Sequence, residues 1–231
     1  MSKKILECES VGSEVARKVF GYLLDKPSNN TKTGGMFQFG VFVADEEPLA
    51  ATKSGADEAV CNGCMMKPSK KQERKAEGIK HGCYVLLFRK LAQWRSLKDQ
   101  EPIGVEKGTD IIEAYGTPVR FGEYGNMSNL PRESMEPLIQ SAKGDHTLYE
   151  NNWRAPHAQW LSDYAQASVQ NLEEAREAWA TGWKTFRQLR DGEEPVKGEE
   201  VMCPHETRGV QCIKCLLCNG STVSITIPNH R

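Results

Sequence analysis

"TPVRFGEYGNMSNLPRESMEPLIQSAKGDHTLYE", residues 117–150, is the stretch on which the fold turns. Its first nine residues read as a strand, "NMSNLP" as a loop, and "RESMEPLIQSAK" as a helix with Pro131 suited to its first turn; "HTLYE" reads as a further strand. Upstream, "MFQFGVFVA" (36–44) sets Phe37, Phe39, Val41 and Val43 in alternation, the mark of a strand with one strongly apolar face. In "YVLLFRKLAQWRSLK" (84–98), Tyr84, Leu87, Phe88, Leu91 and Trp94 fall at helical spacing, while Arg89, Lys90, Arg95 and Lys98 can reach solvent. Downstream, "QWLSDYAQASV" (159–169) reads as extended. "NLEEAREAWATG" (171–182) reads as a helix with a capping signal at Asn171 and Glu174 and a stop at Gly182, and "WKTFRQLR" (183–190) as a strand. Strand and helix alternate, which predicts an α/β fold: a partial (β/α) barrel, or an open, mostly parallel sheet with outer helices. Too few units are visible for a full eight-fold barrel.

At the N-terminus, "SEVARKVFGYLLD" (13–25) begins with Ser13 as an N-cap and brings Val15, Val19, Tyr22 and Leu23 to one helical face before Pro27, so a packing helix is expected. "DKPSNNTKTGG" follows as an exposed linker. The expected organisation is an N-terminal helix and linker over 1–30, an α/β core over 31–200, and a small cysteine-rich, metal-binding element over 201–231 packed on that core.

The 231 residues carry 30 basic and 31 acidic side chains, so no global field draws the chain to nucleic acid or membrane. The start lacks an apolar stretch of signal-peptide length, and no run approaches the roughly 18 residues of a membrane span, so a protein of the cytoplasm is expected, with no membrane partner. Disulfides are rare in that compartment, and the eight cysteines are better read as metal ligands or redox groups. They cluster: Cys61, Cys64 and Cys83 form one set, and Cys203, Cys212, Cys215 and Cys218 another, with Cys8 alone as a small apolar residue.

In the C-terminal set, "CPHETRGVQCIKCLLCNG" (203–220), four thiolates complete the shell of either a tetrahedral zinc or an iron–sulfur cluster, and spacing does not choose between them. His205 could replace one cysteine. In the first set, three thiolates leave a coordination position open to an exogenous molecule, unless His81 closes it as a fourth ligand. Cys83 falls at or just before a helix start, where a thiolate is stabilised.

Between these cysteines, Lys67, Lys70, Lys71, Arg74, Lys75 and Lys80 make a basic loop over 67–80 that could hold nucleic-acid phosphates, though a solvated basic loop is the commoner meaning of such a run. Trp94, Trp160, Trp179 and Trp183 are assigned to core packing. Trp153, with Arg154 and His157, falls in a polar loop. Asp163 and Tyr164 fall in a segment otherwise suited to a buried strand, where Asp163 could point into a site or cap a neighbour; Arg120 could pair with Glu123 or with a bound carboxylate, the structural ion pair being the default.

Together "NTKTGGMFQFGVFVA", "CNGC", "GCYV", "VRFGEYGN", "GWKTFRQL", "CIKCLLCNG" and "SITIPNH" resemble an uncharacterised protein family of bacteriophages and plasmids, over most of the chain from about residue 30. That resemblance implies the cytoplasm of a host cell and brings no activity with it. More distantly, a cysteine set after a first strand, ending in Cys-Tyr and followed by a glycine- and glutamate-containing turn after a second strand, resembles radical SAM enzymes. It implies an iron–sulfur cluster on Cys61, Cys64 and Cys83, S-adenosylmethionine as cofactor, and Gly122, Glu123, Tyr124 and Gly125 near the cofactor's methionine part. The spacing departs from that group's compact three-then-two pattern: here it is two residues, then eighteen. The substrate is not implied. The other reading is a zinc-stabilised, non-enzymatic module binding nucleic acid or a host protein, with both cysteine sets structural.

Overall fold

The computed structural model describes residues 1–14, 16–79 and 82–229. Val15, Lys80 and His81, each given a role above, lie outside them. The strands run β1 (Lys3–Glu9), β2 (Lys18–Leu23), β3 (Phe37–Val43), β4 (Val119–Phe121), β5 (His146–Thr147), β6 (Tyr149–Glu150), β7 (Gln166–Val169), β8 (Lys184–Gln188), β9 (Glu200–Met202) and β10 (Ser224–Ile227). The helices are α1 (Pro48–Ser54), α2 (Glu58–Cys61), α3 (Lys71–Ala76), α4 (Leu87–Leu97), α5 (Val105–Tyr115), α6 (Arg132–Ser141), α7 (Leu172–Ala180), α8 (Pro204–Arg208) and α9 (Cys212–Cys215).

Among the described residues the strands form two five-stranded sheets, ordered β1-β2-β3-β4-β5 and β6-β7-β8-β10-β9. From β3 through β5 the pairing is parallel, as it is throughout the second sheet; only β1 and β2 are antiparallel to their neighbours. Leu148 alone separates β5 from β6, so the strand after α6 serves both sheets. The fold is therefore α/β, with mostly parallel sheets flanked by helices, as the alternation of strand and helix predicts.

Residues 18–23 are not helical. Val19, Phe20, Tyr22 and Leu23 are buried in β2, which pairs antiparallel with β3 from Val19↔Val43 to Leu23↔Phe39. A short apolar run covered on both faces has no period that distinguishes strand from helix, and its β-branched and aromatic residues fit the pleated surface. The extended reading of 159–169 is half right: Pro156–Asp163 is 3-10 helix, and β7 begins at Gln166. At α7, Asn171 accepts a hydrogen bond from the backbone N–H of Glu174 at 2.9 Å, as its capping signal requires.

Alternation along the parallel strands defines two unlike faces. Thr185 and Arg187 of β8 are buried, whereas Lys184, Phe186 and Gln188 are half-buried. Thr185 and Ser224 receive the Trp179 indole N–H of α7, at 3.1 and 3.0 Å, so helices cover the buried face. The opposite face, with Thr147, Tyr149, Phe186 and Ile225, meets the cysteines of the C-terminal segment. The main core joins Phe20, Phe39, Phe42, Phe121, Trp153 and Trp183, and a small second core forms around Cys203, Ile225 and Ile227.

Candidate functional site

The β3–β4 connection carries the first cysteine set. Asp57 begins a tight turn in which its carbonyl accepts from the N–H of Cys61 (2.7 Å), and the carbonyl of Cys61 accepts from that of Cys64 (3.1 Å). Gly63 has a left-handed φ of 70°, and a Cβ there would fall 2.5 Å from Asn152 Oδ1 and 3.0 Å from the Asn151 carbonyl oxygen, so this position between the cysteines favours glycine.

Asparagines bind this turn to the sheet. Asn126 donates from its backbone to the Val60 carbonyl (2.7 Å) and from Nδ2 to the Asn62 carbonyl (2.7 Å). Asn152 Nδ2 donates to Asn62 Oδ1 (2.8 Å) and Ser128 Oγ (3.0 Å), and Asn151 Nδ2 donates to Asn126 Oδ1 (2.8 Å). Beneath them the buried Glu150 accepts from the N–H groups of Ser128 (3.1 Å) and Asn152 (2.8 Å), and burial raises its carboxyl above the usual range. The loops leaving β4 and β6 at their C-terminal ends thus grip the cysteine turn, in the region where open parallel sheets form their ligand sites. None of these asparagines stood out in the sequence; the visible signal is the run of polar residues directly after a strand in "NMSN" and "ENN".

Cys83 returns by a different device. Arg74, buried in α3, donates to the carbonyls of Met65 (3.0 Å) and Lys67, and Gly82 lies against its guanidinium. Lys67 is buried as well and pairs with Glu58. Two of the cations assigned to a nucleic-acid loop therefore organise the fold instead, and Lys70 pairs with Glu73 at 2.9 Å. Lys71 and Lys75 are exposed.

The three thiols share one electrostatic neighbourhood. Burial, then the nearby Cys64 and Cys83, pushes the Cys61 thiol well above its usual value; burial raises Cys64 to about 11, and Cys83 is raised by burial as well. Tyr124 joins them, its phenol raised by burial and then by Cys61, Asp57 and Cys83. The "GEYG" turn is left-handed at Gly122 (φ 73°) and Gly125 (φ 79°), and the Tyr124 carbonyl accepts from the Val41 N–H at 2.8 Å, which carries the phenol to the thiols. The Glu123 carboxylate is taken up within the fold by the Tyr22 hydroxyl and Lys90. Arg120 does not pair with it: its Nε is buried with no hydrogen-bond partner.

The second set encloses a cavity of about 40 Å³ lined by Cys203, Cys212, Cys215 and Cys218, with Tyr149, Phe186 and Ile225 from the sheet. Backbone hydrogen bonds hold the segment in place: Cys212 N–H to Lys32 carbonyl (2.8 Å), Ile213 N–H to Thr33 carbonyl (3.1 Å), and Leu148 N–H to Cys218 carbonyl (3.1 Å). Burial raises Cys218 to about 12, against a hydrogen bond from Tyr149 that lowers it. His205 also lines the cavity. Among the described residues, no three Cys, His, Asp or Glu side chains of either set are gathered closely enough to hold a single metal ion.

The remaining aromatic and charged candidates are structural. Trp153 is 2 % exposed and belongs to the core, with Arg154 over its ring and paired to Glu177 at 2.6 Å. His157 packs against Gly12, and the Tyr164 hydroxyl lies between Gln140 and Glu136. No helix among the described residues is long and apolar enough to cross a membrane. Comparison with protein-family models, curated proteins and solved structures gives no match to this chain.

Proposed function

We propose that this chain is an iron–sulfur metalloprotein of phage or plasmid type, with a divergent radical SAM-like site on Cys61, Cys64 and Cys83. The supporting observation is the meeting of the half-buried Cys61 and Cys64 and the exposed Cys83 with Tyr124 of the "GEYG" turn, at the C-terminal ends of neighbouring parallel strands. Burial there disfavours thiolates unless a cation compensates them, which suits a metal-bound state. Three protein thiolates leave room for one exogenous ligand. Such a cluster, with S-adenosylmethionine bound, supplies one-electron chemistry. The protein's own part is positional: the asparagine network fixes Cys61 and Cys64, Arg74 brings back Cys83, and Gly122 and Gly125 let the turn approach closely. Because Glu123 is committed to Tyr22 and Lys90, cofactor contacts fall to the backbone of the turn and to Tyr124. In this reading the sheets are a partial barrel, and the substrate enters beyond the C-terminal ends of β3 and β4, beside the first cysteine set.

A zinc-stabilised module binding nucleic acid or a host protein is less well supported, since Lys67 and Arg74 are turned inward. Anaerobic purification with iron and sulfide analysis tests the choice. A brown protein whose electron paramagnetic resonance signal changes on adding S-adenosylmethionine, and does not in Cys61→Ser, is expected. Zinc at the first set would end the enzymatic reading, and iron without response to S-adenosylmethionine would reject that cofactor.

A further inference from the structure

Helix α4 is held from one side only. Trp94 donates its indole N–H to the Val43 carbonyl at 2.8 Å, Leu97 is fully buried, and Lys90 reaches the Glu123 carboxylate at 2.5 Å. The other side, with Phe88, Arg89, Ala92, Arg95 and Ser96, faces solvent. Phe88, Ala92 and Arg95 are spaced at i, i+4 and i+7, so they stand on one line, about 10 Å long at about 1.5 Å per residue. Phe88 is 65 % exposed, and just before the helix Tyr84 is 61 % and Leu86 48 % exposed. Among the described residues, Tyr84 and Phe88 are the only exposed aromatic side chains. Single apolar side chains in water are ordinary, but three within one short stretch mark a surface that receives a partner.

Charge decides what kind of partner. Residues 67–98 carry ten basic and two acidic side chains, in a chain that is acidic elsewhere. Both acids are taken, Glu73 by Lys70 at 2.9 Å and Glu77 by Arg190 at 3.0 Å. Lys71, Lys75, Arg89 and Arg95 are exposed and make no ion pair among the described residues. Gly82 lies against the Arg74 guanidinium, which sets α3, with its Lys71 and Lys75, beside the start of this surface. The Arg89 guanidinium stands 5.7 Å from the Phe88 ring centre, so ring and cation form one platform. An acidic protein would meet the cations but does not call for rings set between them. Unstacked bases offer flat faces to the rings and phosphates to the cations, whereas a duplex hides those faces.

We propose that the outer face of α4, with Tyr84 and the exposed lysines of α3, binds single-stranded nucleic acid. Bases stack on Tyr84 and Phe88, and phosphates pair with Lys71, Lys75, Arg89 and Arg95. This is not the basic loop expected over 67–80, whose Lys67 and Arg74 are committed to the fold. The surface does not depend on what the thiols hold, though it delivers a strand beside Cys83.

Fluorescence anisotropy of the full-length protein with labelled oligothymidine and oligouridine of about 12 nucleotides tests it. Binding of either supports the proposal, and the tighter of the two names the sugar. Affinity should fall with salt at a log–log slope of about −3 for four phosphate contacts. Phe88→Ala should weaken binding about 5- to 150-fold with the slope unchanged, and Phe88→Tyr should restore it. R89Q/R95Q should reduce the slope by about 1.4, whereas Lys107→Gln, an exposed change on α5, should leave it alone. All these side chains are exposed, so the variants should melt as wild type does. No binding at low salt, equal binding of a duplex of the same length, or wild-type affinity in Phe88→Ala overturns the proposal. Polyglutamate displacing the strand as well as unlabelled oligonucleotide does would point to an acidic protein and overturn it too. Iron analysis of the same samples separates this from the open-site reading: iron-loaded protein without binding ends this proposal alone, and iron-free protein with binding ends the other alone.

Discussion

Asn152→Ala probes the grip on the first cysteine turn. Asn152 is 8 % exposed, and its Nδ2 donates to Asn62 Oδ1 at 2.8 Å and Ser128 Oγ at 3.0 Å. Alanine removes both donors. Each lost hydrogen bond costs about 1 kcal/mol, and an acceptor stranded in a buried site adds about 1–3 kcal/mol, so a total of ~3–5 kcal/mol is expected for the two. For a chain of this size that is a fall in Tm of about 6–20 °C. The damage should not be general: Asn62 sits between Cys61 and Cys64, so iron bound by the first set should fall while the C-terminal set is unaffected. Thermal unfolding followed by circular dichroism, with iron analysis of the same samples, measures both effects. Gln140→Ala, which removes an exposed bond to the Tyr164 hydroxyl, is the control and should leave both near wild type. An Asn152→Ala protein that melts within about 1 °C of wild type and keeps its iron would refute the claim that these asparagines position the cysteines.

Glu200→Ala removes the two-pronged partner of Arg187, which is 1 % exposed and bonded to Glu200 at 2.9 and 2.8 Å; with Glu193 still 2.7 Å away, a loss of about 3 kcal/mol is expected in urea unfolding, and less than about 1 kcal/mol would contradict it. Burial holds His146 below its usual value of 6.5, so the unfolded chain binds the proton more readily. The stability this contributes is complete above the unfolded pKa and is lost as pH falls from there through the folded one. His146→Gln should therefore flatten the stability profile on the acid side of 6.5, and an unchanged slope would show that another group, such as His157, carries it. Gly125→Ala forces a side chain onto φ 79° and to 3.1 Å from Val41; a loss of about 1–2 kcal/mol and a weakened spectral response to S-adenosylmethionine are expected, and a wild-type response would separate the turn from the cofactor site.

The sequence alone was enough for whatever depends on neighbours along the chain. The strand at 37–43, the α4, α6 and α7 helices and the Asn171 cap follow from periodicity and capping chemistry, which act over a few residues. The grouping of the cysteines into two sets was equally plain. Tertiary structure decided what depends on distant partners. β2 became a strand because β1 and β3 pair with it on both sides, Trp153 became core despite its polar neighbours, and Lys67 and Arg74 turned inward because Glu58 and the Met65 and Lys67 carbonyls needed them. The joining of Asn62 to Asn126 and Asn152 depended on the same cause. Such contacts form only when the sheet brings separate loops together, and no local pattern records them.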